Sequence, residues 1–333
     1  MKAAVLKKYS KKDNTLLICD VPVPKINKDE VLVKVKAAGV NPLDHMIIRG
    51  EVKLIIPYQF PLIMGNEFSG VIEEVGKDVI DFKPGDRIYG RMPLKKIGAF
   101  TEYVAINQNA IAKIPSYLSY EEAASIPLTA LTALQAFDLM DVKPGQKLFI
   151  SGGTGSLGAM AIPLAKSMGL YVMTSGSIEN KERVMKLGVD QFIDYKTKDY
   201  SQILTDVDLI LDTLGDKEIK KEFQILKYGG CLVSLRGMPN GEFARRTGMS
   251  FVKRLLFSLV GSQYDRIAKK RNQKYIFVFV HEDGIRLQKI SEILQKHKIE
   301  TSIDKIFHLS QINEALLHVE NGGSKGKTII KMD

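Results

Sequence analysis

The chain has 333 residues, of which 45% are hydrophobic, and a formal net charge of +10 at pH 7. This length suits two globular domains, and no apolar run approaches the roughly 18 residues that would indicate a membrane-spanning helix. Cys19 and Cys231 are the only cysteines, which excludes a disulfide framework and a zinc knuckle built from cysteine pairs. Residues 1–6 lack the apolar segment of a secretory signal, so a cytoplasmic location is expected.

The first part of the chain, residues 1 to about 122, predicts an antiparallel β domain. Short strand-like runs separated by turn residues lie at 31–35, 70–75, 86–89 and 102–106. Helical patterns follow at 120–125 and 131–137. The chain then alternates strands and helices, with strands predicted at 147–151, 170–174, 191–194, 207–212, 231–235 and 275–280. Such alternation is typical of a doubly wound parallel sheet. The last 50 or so residues predict helices at 284–297 and 310–320 and short strands at 306–307 and 328–331.

A glycine-rich segment directly after the strand at 147–151 carries the most specific functional signal. Gly153, Gly155 and Gly158 have the spacing G-x-G-x-x-G and lead into an apolar-periodic, helix-like run. A tight turn at Gly153 and a bare backbone at Gly155 let a pyrophosphate approach, and Gly158 lets the helix pack closely on the strand. The helix N-terminus supplies free N–H groups and a partial positive charge. The segment therefore predicts a dinucleotide site.

The second half of this fingerprint departs from an NAD site. An NAD site expects an acidic residue at the end of the next strand, about 20 residues on, but this strand ends in Thr174-Ser-Gly-Ser177. Without a carboxylate to repel a 2′-phosphate, and with Ser175, Ser177 and Lys181 close by, the predicted cofactor is NADP(H). Glu179 is interpreted as a helix-start residue that points away from the ligand.

A basic segment, residues 245–271, holds eight basic side chains and one acidic side chain. Apolar residues alternate with these charges, which indicates an amphipathic helix. Three interpretations stay open: a helix packed on the protein with a solvated basic face, a site for an acidic ligand or partner, and contact with a membrane surface or a nucleic acid.

Several stretches together resemble the zinc-free quinone oxidoreductase branch of the medium-chain dehydrogenase/reductase superfamily. They are residues 37–44, 61–70, 82–90, 98–103 and 123–129 and the glycine loop, in the same order and with the same spacing as in the family. The resemblance implies a fold of the α/β class, with a GroES-like antiparallel β-barrel domain and a doubly wound parallel-sheet Rossmann domain. The GroES-like domain would comprise 1–122 completed by about 281–333, and the Rossmann domain 123–280 with a basic amphipathic insertion at about 239–272. The active site would lie between the two domains.

The chain departs from the zinc alcohol dehydrogenases at two positions. Those enzymes resemble it near Gly39 and Gly65 but carry Cys and His where this chain has Asn41 and Asn66. Amide groups are poor zinc ligands beside thiolate and imidazole, so no metal is expected. Without a Lewis acid, oxidation of an unactivated alcohol is disfavoured.

An acceptor that is already electrophilic remains accessible without metal. The resemblance thus implies an NADPH-dependent, zinc-independent reductase that transfers hydride to a quinone or an α,β-unsaturated carbonyl. Asn41, Asp44 and Tyr58 are the candidate catalytic residues: Asn41 would orient the nicotinamide or the acceptor, Asp44 would hold the loop, and Tyr58 is a candidate acid. One alternative is a reductase of larger acyl substrates. Another is an NADPH-binding module with weak turnover whose basic segment contacts RNA or membrane.

The resemblance also assigns cofactor contacts, in four groups. Thr129 would contact the nicotinamide ribose side, and Lys327 the dinucleotide. Residues Thr154, Ser156 and Leu157 would face the pyrophosphate, and Lys181 and Tyr195 the 2′-phosphate and adenine. The remaining candidates lie at the carboxyl ends of the fourth and fifth strands of the sheet and on the sixth: Leu214, Gly215, Ser234, Leu235, Gly237, Phe277 and Phe279. A homodimer is expected from pairing of the edge strand at 275–280, and nucleic acid is not an expected partner.

Overall fold

The computed structural model describes residues 1–12, 15–322 and 326–332. The chain forms two compact units, one of Met1–Leu131 with His281–Asp333 and the other of Thr132–Val280. No helix of the described part combines the length and the apolar character that crossing a membrane requires.

The strands, numbered in chain order, are β1 (Lys2–Leu6), β2 (Leu17–Asp20), β3 (Glu30–Val40), β4 (Leu62–Ile63), β5 (Glu67–Val75), β6 (Arg87–Arg91), β7 (Tyr103–Asn107), β8 (Ile111–Lys113), β9 (Lys147–Ile150), β10 (Tyr171–Gly176), β11 (Gln191–Asp194), β12 (Val207–Asp212), β13 (Leu226–Ser234), β14 (Lys274–Phe277), β15 (Ile303–His308) and β16 (Lys327–Lys331). The α-helices are α1 (Pro42–Ile48), α2 (Tyr120–Ala124), α3 (Pro127–Met140), α4 (Ser156–Ser167), α5 (Lys181–Lys186), α6 (Asp216–Ile225), α7 (Gly241–Arg246), α8 (Phe251–Val260), α9 (Ser262–Lys270), α10 (Gly284–His297) and α11 (Ile312–Glu320). Short 3₁₀ turns lie at Gln108–Ala110, Ile178–Asn180, Tyr200–Gln202 and Leu309–Gln311.

The first unit is organised around the long strand β3. On one side β3 pairs with β5, and on the other it pairs first with β7 and then with β16. Both edges of β3 are therefore paired, and most of its residues are also buried, with no exposed surface at Val31, Val33 and Ala37. The sheet runs in the order β15-β16-β3-β5-β6-β8, and a smaller sheet has the order β2-β1-β4. All of these pairs except β15 with β16 are antiparallel.

The second unit is a parallel sheet with the strand order β11-β10-β9-β12-β13-β14. The central strand β9 consists of apolar residues that are fully buried from Leu148 to Ile150, as expected for a strand covered on both faces. The chain order reverses between β9 and β12, and doubly wound sheets bind ligands at the carboxyl ends of the strands beside such a reversal. The predicted fold class is confirmed.

Two local predictions are corrected in the second unit. The sixth strand ends at Phe277, so Phe279 lies beyond it. The basic segment is not one amphipathic helix but the three helices α7, α8 and α9, because Gly248 has a positive φ of 68° between the first two and Gly261 caps both α8 and α9. Of the apolar positions in α8, Phe257 is buried, whereas Phe251 is 80% exposed.

Candidate active site and cofactor site

In the first unit, the ends of three neighbouring strands bring three polar side chains together. Strand β3 runs antiparallel to both β5 and β16, so its carboxyl end lies beside their first residues. Asn41 follows β3 directly, Glu67 begins β5, and Lys327 begins β16. All three are at least 97% buried, since their exposed fractions are 2%, 0% and 3%. Gly39 leaves the space for this cluster, because a Cβ there would lie 2.5 Å from Glu67 Oε1.

These three side chains form a closed set of hydrogen bonds. Lys327 Nζ lies 2.5 Å from Asn41 Oδ1 and 2.5 Å from Glu67 Oε1. Asn41 Nδ2 donates to Glu67 Oε1 at 2.8 Å, and the backbone N–H of Leu128 donates to Glu67 Oε2 at 2.7 Å. A buried carboxylate requires this kind of partner set to remain ionised. The predicted cofactor contact Lys327 is thus held by an ion pair within its own unit.

Asp44 joins the cluster through the helix that follows β3. It is fully buried, and it accepts hydrogen bonds from the backbone N–H of Asn41 at 2.7 Å and from Asn66 Nδ2 at 2.8 Å. Burial raises the pKa of Asp44 to about 7, although both hydrogen bonds and the charge of Lys327 favour the ionised form. Asp44 therefore fixes the turn from β3 into α1, and its carboxyl group titrates near neutrality.

Tyr58, the third catalytic candidate, is half-buried in the same unit. Its hydroxyl group donates to the carbonyl oxygen of Leu94 at 3.0 Å. Burial raises the pKa of Tyr58 to about 12, and the nearby positive charge of Arg91 acts in the opposite direction. The phenol is therefore protonated at neutral pH.

Arg91 is a residue that the sequence analysis missed. It has no exposed surface, and it lies opposite Glu67 where β5 pairs with β6. One guanidinium nitrogen donates to the carbonyl oxygen of Met92 at 2.5 Å, while Nε and Nη2 meet no hydrogen-bond partner among the described residues. Burial lowers its pKa to about 10, so it stays charged at pH 7. The sequence feature that could have pointed to this residue is an arginine at the end of an apolar strand.

Thr129, the candidate for the nicotinamide side, lies in the first turn of α3. Its hydroxyl group donates to the carbonyl oxygens of Ser125 and Ile126, both at 3.0 Å, and the side chain is 3% exposed. A threonine that bonds back along its own helix keeps its backbone conformation in place, and its oxygen retains a lone pair for another donor.

In the second unit, the glycine loop follows β9 as expected. The backbone turns over residues 151–154, and the left-handed residue is Gly152, with φ of 66°. Gly153 lies within this turn, and a Cβ there would lie 2.4 Å from Thr174 Oγ1, which accepts the N–H of Gly153 at 3.1 Å. A Cβ on Gly158 would lie 1.9 Å from the carbonyl oxygen of Gly153, so only glycine lets α4 approach the loop this closely.

Gly155 differs from the other glycines of the loop. A Cβ there would meet only the carbonyl oxygen of Gly152, at 3.7 Å, so the space in front of its backbone is open. It is the N-cap of α4 and has no side chain to satisfy the free N–H groups of the first turn, to which Ser156 and Leu157 belong. Open space in front of unpaired N–H groups at a helix N-terminus suits a pyrophosphate, so the loop fits a dinucleotide.

The end of β10 carries hydroxyl groups and nearby cations. Ser175 ends the strand with Gly176, Ser177 precedes the 3₁₀ turn, and Lys181 begins α5 with its side chain exposed. Arg183 donates to the carbonyl oxygen of Thr154, which ties α5 to the glycine loop. Tyr195 is 59% exposed after β11.

Glu179, an acidic residue in the 3₁₀ turn that follows this edge, is paired. Its carboxylate lies 3.3 Å from Lys196 Nζ, and backbone and Lys196 hydrogen bonds lower its pKa. It thus balances one cation, while Lys181 adds a positive charge beside the two serines.

Asp212, at the end of β12, organises the next part of the carboxyl edge, and the sequence analysis missed it. Its buried carboxylate accepts the N–H groups of Leu214 at 2.8 Å and Gly215 at 2.9 Å and the hydroxyl group of Ser234 at 2.5 Å. Ser234 Oγ in turn accepts the N–H of Gly237 at 2.7 Å. One carboxylate therefore shapes the loops after two strands. An acid that ends a run of apolar strand residues was the signal.

The candidates beyond Ser234 have different surroundings. Leu235 donates its N–H to the carbonyl oxygen of Asp212 at 3.1 Å. Phe277 is 6% exposed and stacks edge to face on Phe243, with ring centres 5.0 Å apart. Phe279 lies after the strand and is half-buried. Phe277 is thus part of the packing beneath α7.

The donor set does not fit a catalytic zinc ion. Within the described ranges, no three side chains of His, Cys, Asp or Glu are grouped so that they could hold a metal. Asn41 and Asn66 offer only amide groups, and both amides already bond to neighbouring side chains. No step of the reaction proposed for this chain therefore uses a metal.

The chain is similar to known proteins over its whole length. A profile described as the alcohol dehydrogenase GroES-like domain matches residues 27–116, and one described as zinc-binding dehydrogenase matches residues 187–330. The mitochondrial NAD(P)H oxidoreductase RTN4IP1 of Danio rerio is 31% identical over all of this chain and 91% of its own length. The chloroplastic NADPH-dependent alkenal/one oxidoreductase of Arabidopsis thaliana is 27% identical over 99% of this chain and 79% of its own.

A solved structure agrees with these relatives. The quinone oxidoreductase of Coxiella burnetii superposes with a TM-score of 0.85 at 28% identity, covering 100% of this chain and 99% of its own. The fold, the glycine loop and these relatives lead to one conclusion. The chain belongs to the zinc-free quinone and enone reductase branch of the medium-chain dehydrogenase/reductase superfamily, and it is an oxidoreductase that uses a nicotinamide cofactor.

Proposed function

We propose that this protein is an NADPH-dependent reductase that transfers hydride to a quinone or an α,β-unsaturated carbonyl compound. The observation that carries the proposal is the buried Asn41, Glu67 and Lys327 cluster. It fills the strand-end position with an ion pair and amide hydrogen bonds and leaves no thiolate or imidazole for a Lewis acid. The acceptor must then be electrophilic by itself, because no metal polarises it.

The cofactor would be held at the carboxyl edge of the parallel sheet. Backbone N–H groups of Ser156 and Leu157 would bind the pyrophosphate, and Gly153, Thr154 and Gly155 would shape the loop beside it. When bound, the nicotinamide supplies the hydride. In the first unit, Asp44 holds Asn41 through its backbone N–H, and Asn41 is the candidate for orienting the acceptor or the nicotinamide. Tyr58 is the candidate proton donor.

NADPH is proposed over NADH because β10 ends in hydroxyl groups rather than in a carboxylate. Ser175, Ser177 and Lys181 would bind the 2′-phosphate, and a charge-assisted contact of this kind is among the stronger hydrogen bonds. We expect NADPH to bind at least tenfold more tightly than NADH, which corresponds to about 1.4 kcal/mol.

The cofactor experiment compares two lysines of the same helix. Dissociation constants for NADPH and NADH are measured for the wild type, for Lys181→Ala and for Lys186→Ala. Lys186 pairs with Glu182 at 2.9 Å and ends α5, so it serves as the control. Lys181→Ala should narrow the preference for NADPH, and Lys186→Ala should leave it unchanged. Equal constants for both cofactors in the wild type would refute the NADPH assignment.

The substrate experiment follows NADPH oxidation with quinones, alkenals, enones and unactivated aldehydes, before and after exhaustive chelation. Turnover of quinones or enones that survives chelation supports the proposal. Turnover that disappears with the metal, or that is confined to unactivated aldehydes, contradicts it. Binding of NADPH without turnover on any of these compounds would favour the alternative of a binding module.

A homodimer and a cytoplasmic location are part of the same proposal. Strand β14 pairs with β13 alone and so forms one edge of the six-stranded parallel sheet of the described second unit. An edge of this kind can continue its hydrogen bonding with a second chain. Light scattering at micromolar concentration should give the mass of a dimer, and a monomer would contradict this assignment.

A further inference from the structure

Helix α8 presents a continuous apolar surface to solvent. We call this surface the α8 apolar face, and its residues are Phe251, Val252, Leu255, Leu256, Leu259 and Val260. Each of them is between 39% and 80% exposed, whereas Phe257, on the opposite side of the helix, is buried. Because successive helical residues are turned by about 100°, the six positions cover about half of the helix circumference. Scattered exposed apolar residues are normal on proteins, but a contiguous face of this kind marks an interaction site.

The surroundings of this face are strongly cationic. Lys253 and Arg254 lie on α8 at the two borders of the apolar arc, and exposed Arg266, Lys269 and Lys270 follow on α9. Residues 243–264 contain no acidic residue. An apolar helical face flanked by basic residues is the pattern of helices that lie in the plane of a membrane surface containing anionic lipids.

We propose that the α8 apolar face docks this protein on an anionic lipid bilayer, with the apolar residues inserted among the acyl chains and the basic residues at the headgroups. Charge complementarity favours an anionic bilayer over a second copy of the chain as the partner of this face. A twofold contact through α8 would bring the same basic segment, with its net charge of +7, against itself, and such like-charge contacts are unfavourable. The proposal does not depend on the enzymatic reaction.

The first test measures flotation of the purified protein with vesicles of phosphatidylcholine alone and of phosphatidylcholine mixed with phosphatidylglycerol. Binding should be confined to the mixed vesicles and should weaken with added salt. The double variant Phe251→Ser with Leu259→Ser should lower the partition coefficient at least tenfold, because two large side chains no longer insert. The double variant Ile80→Ser with Ile285→Ser is the matched control, since these residues are 85% and 86% exposed elsewhere.

The second test separates the charges from the apolar contacts. Each basic residue near an anionic surface strengthens binding about fivefold, so Lys253→Ser with Arg254→Ser should weaken it about 25-fold. The control is Lys7→Ser with Lys8→Ser, two exposed lysines of the first unit. Unchanged melting temperatures would show that the variants are folded, as their surface positions lead us to expect.

Four outcomes of the vesicle and light-scattering measurements would overturn the proposal. They are failure to bind the mixed vesicles, equal binding to neutral vesicles, unchanged binding of the Phe251 and Leu259 variant, and conversion of an oligomer into monomers by that variant. The last outcome, seen by light scattering, would assign the face to a second copy of the chain. Salt-sensitive binding of single-stranded RNA that competes with the vesicles would assign the basic residues to a nucleic acid instead.

Discussion

Breaking the buried ion pair between Lys327 and Glu67 from one side should strongly destabilise the first unit. Lys327→Met removes the ammonium group and leaves the Glu67 carboxylate with only the N–H groups of Asn41 and Leu128 as donors. It also leaves Asn41 Oδ1 without its donor. Breaking a buried pair from one side typically costs about 3–5 kcal/mol. For a domain of this size, that loss lowers the melting temperature by about 10 °C.

A double-mutant cycle measures the coupling between the two charges. Glu67→Gln alone leaves the Lys327 ammonium group buried with only neutral acceptors. This variant should also be destabilising, because a buried positive charge has then lost its counter-ion. In the double variant Lys327→Met with Glu67→Gln, neither charge is left unpaired. We therefore expect its loss of unfolding free energy to be smaller than the sum of the single losses by about 2 kcal/mol. The chain has no Trp, so unfolding in urea is followed by circular dichroism rather than by indole fluorescence.

Lys331→Met is the matched control on the same strand. Lys331 forms an ion pair with Glu121 at 2.9 Å, but its side chain is 52% exposed. Water screens such a pair, so its removal should barely change the unfolding midpoint. If Lys327→Met were no more destabilising than this control, or if the cycle showed additive losses, the buried pair would not hold the strand ends together.

Three further predictions follow from the site. Because burial raises the pKa of Asp44 to about 7, the folded state holds this proton more tightly than the unfolded state, whose pKa is about 3.9. The stability that Asp44 contributes is thus complete below about pH 4 and lost by about pH 8, so the free energy of unfolding should decline by about 4 kcal/mol over this range. Urea titrations across the range should show this decline in the wild type and not in Asp44→Asn. Gly155→Ala should keep the wild-type melting temperature and weaken cofactor binding, whereas Gly158→Ala should lower the melting temperature itself; equal effects on both quantities would contradict the loop geometry. Arg91→Met should lower the melting temperature less than Lys327→Met does, because two nitrogens of this buried guanidinium meet no partner among the described residues and its ion pair with Glu282 is long, at 3.9 Å; an equal or larger drop would contradict this reasoning.

The fold class was predictable because each part of the fold depends on local signals that agree with one another. Strands such as β9 are short apolar runs followed by glycine, and a parallel sheet with helices between its strands is the arrangement that buries them. The length of β3 was not predictable in the same way. Only residues 31–35 show the strand pattern, and the strand continues to Val40 because β5 and β16 pair with the rest of it. Small residues such as Ala37 and Gly39 carry little strand preference of their own.

The candidate active site was predictable only as separate residues. Asn41 and Asp44 stand out in a motif, but Glu67 and Lys327, the side chains that bond to Asn41, are 26 and 286 positions away from it. No local pattern reports that three strand ends meet, since this depends on the pairing order β16-β3-β5. The glycine loop illustrates the same limit on a smaller scale. The motif predicts the turn, but the contact of Gly153 with Thr174, which is 21 positions away, depends on the pairing of β9 with β10.

The basic segment shows why a periodic pattern cannot decide between packing and docking. The apolar residues of α8 recur at the spacing of a helix, and this spacing is the same whether the face meets the protein core, a lipid bilayer or another chain. The interpretation of a helix packed on the protein fits Phe257, which is buried, but not Phe251 and Leu255, which are exposed on the other side of α8. The apolar residues outnumber the positions that the second unit covers, so the surplus remains on the surface. A surplus of this kind, flanked by cations and without an acid in the helix itself, is the feature that separates a docking helix from a core helix.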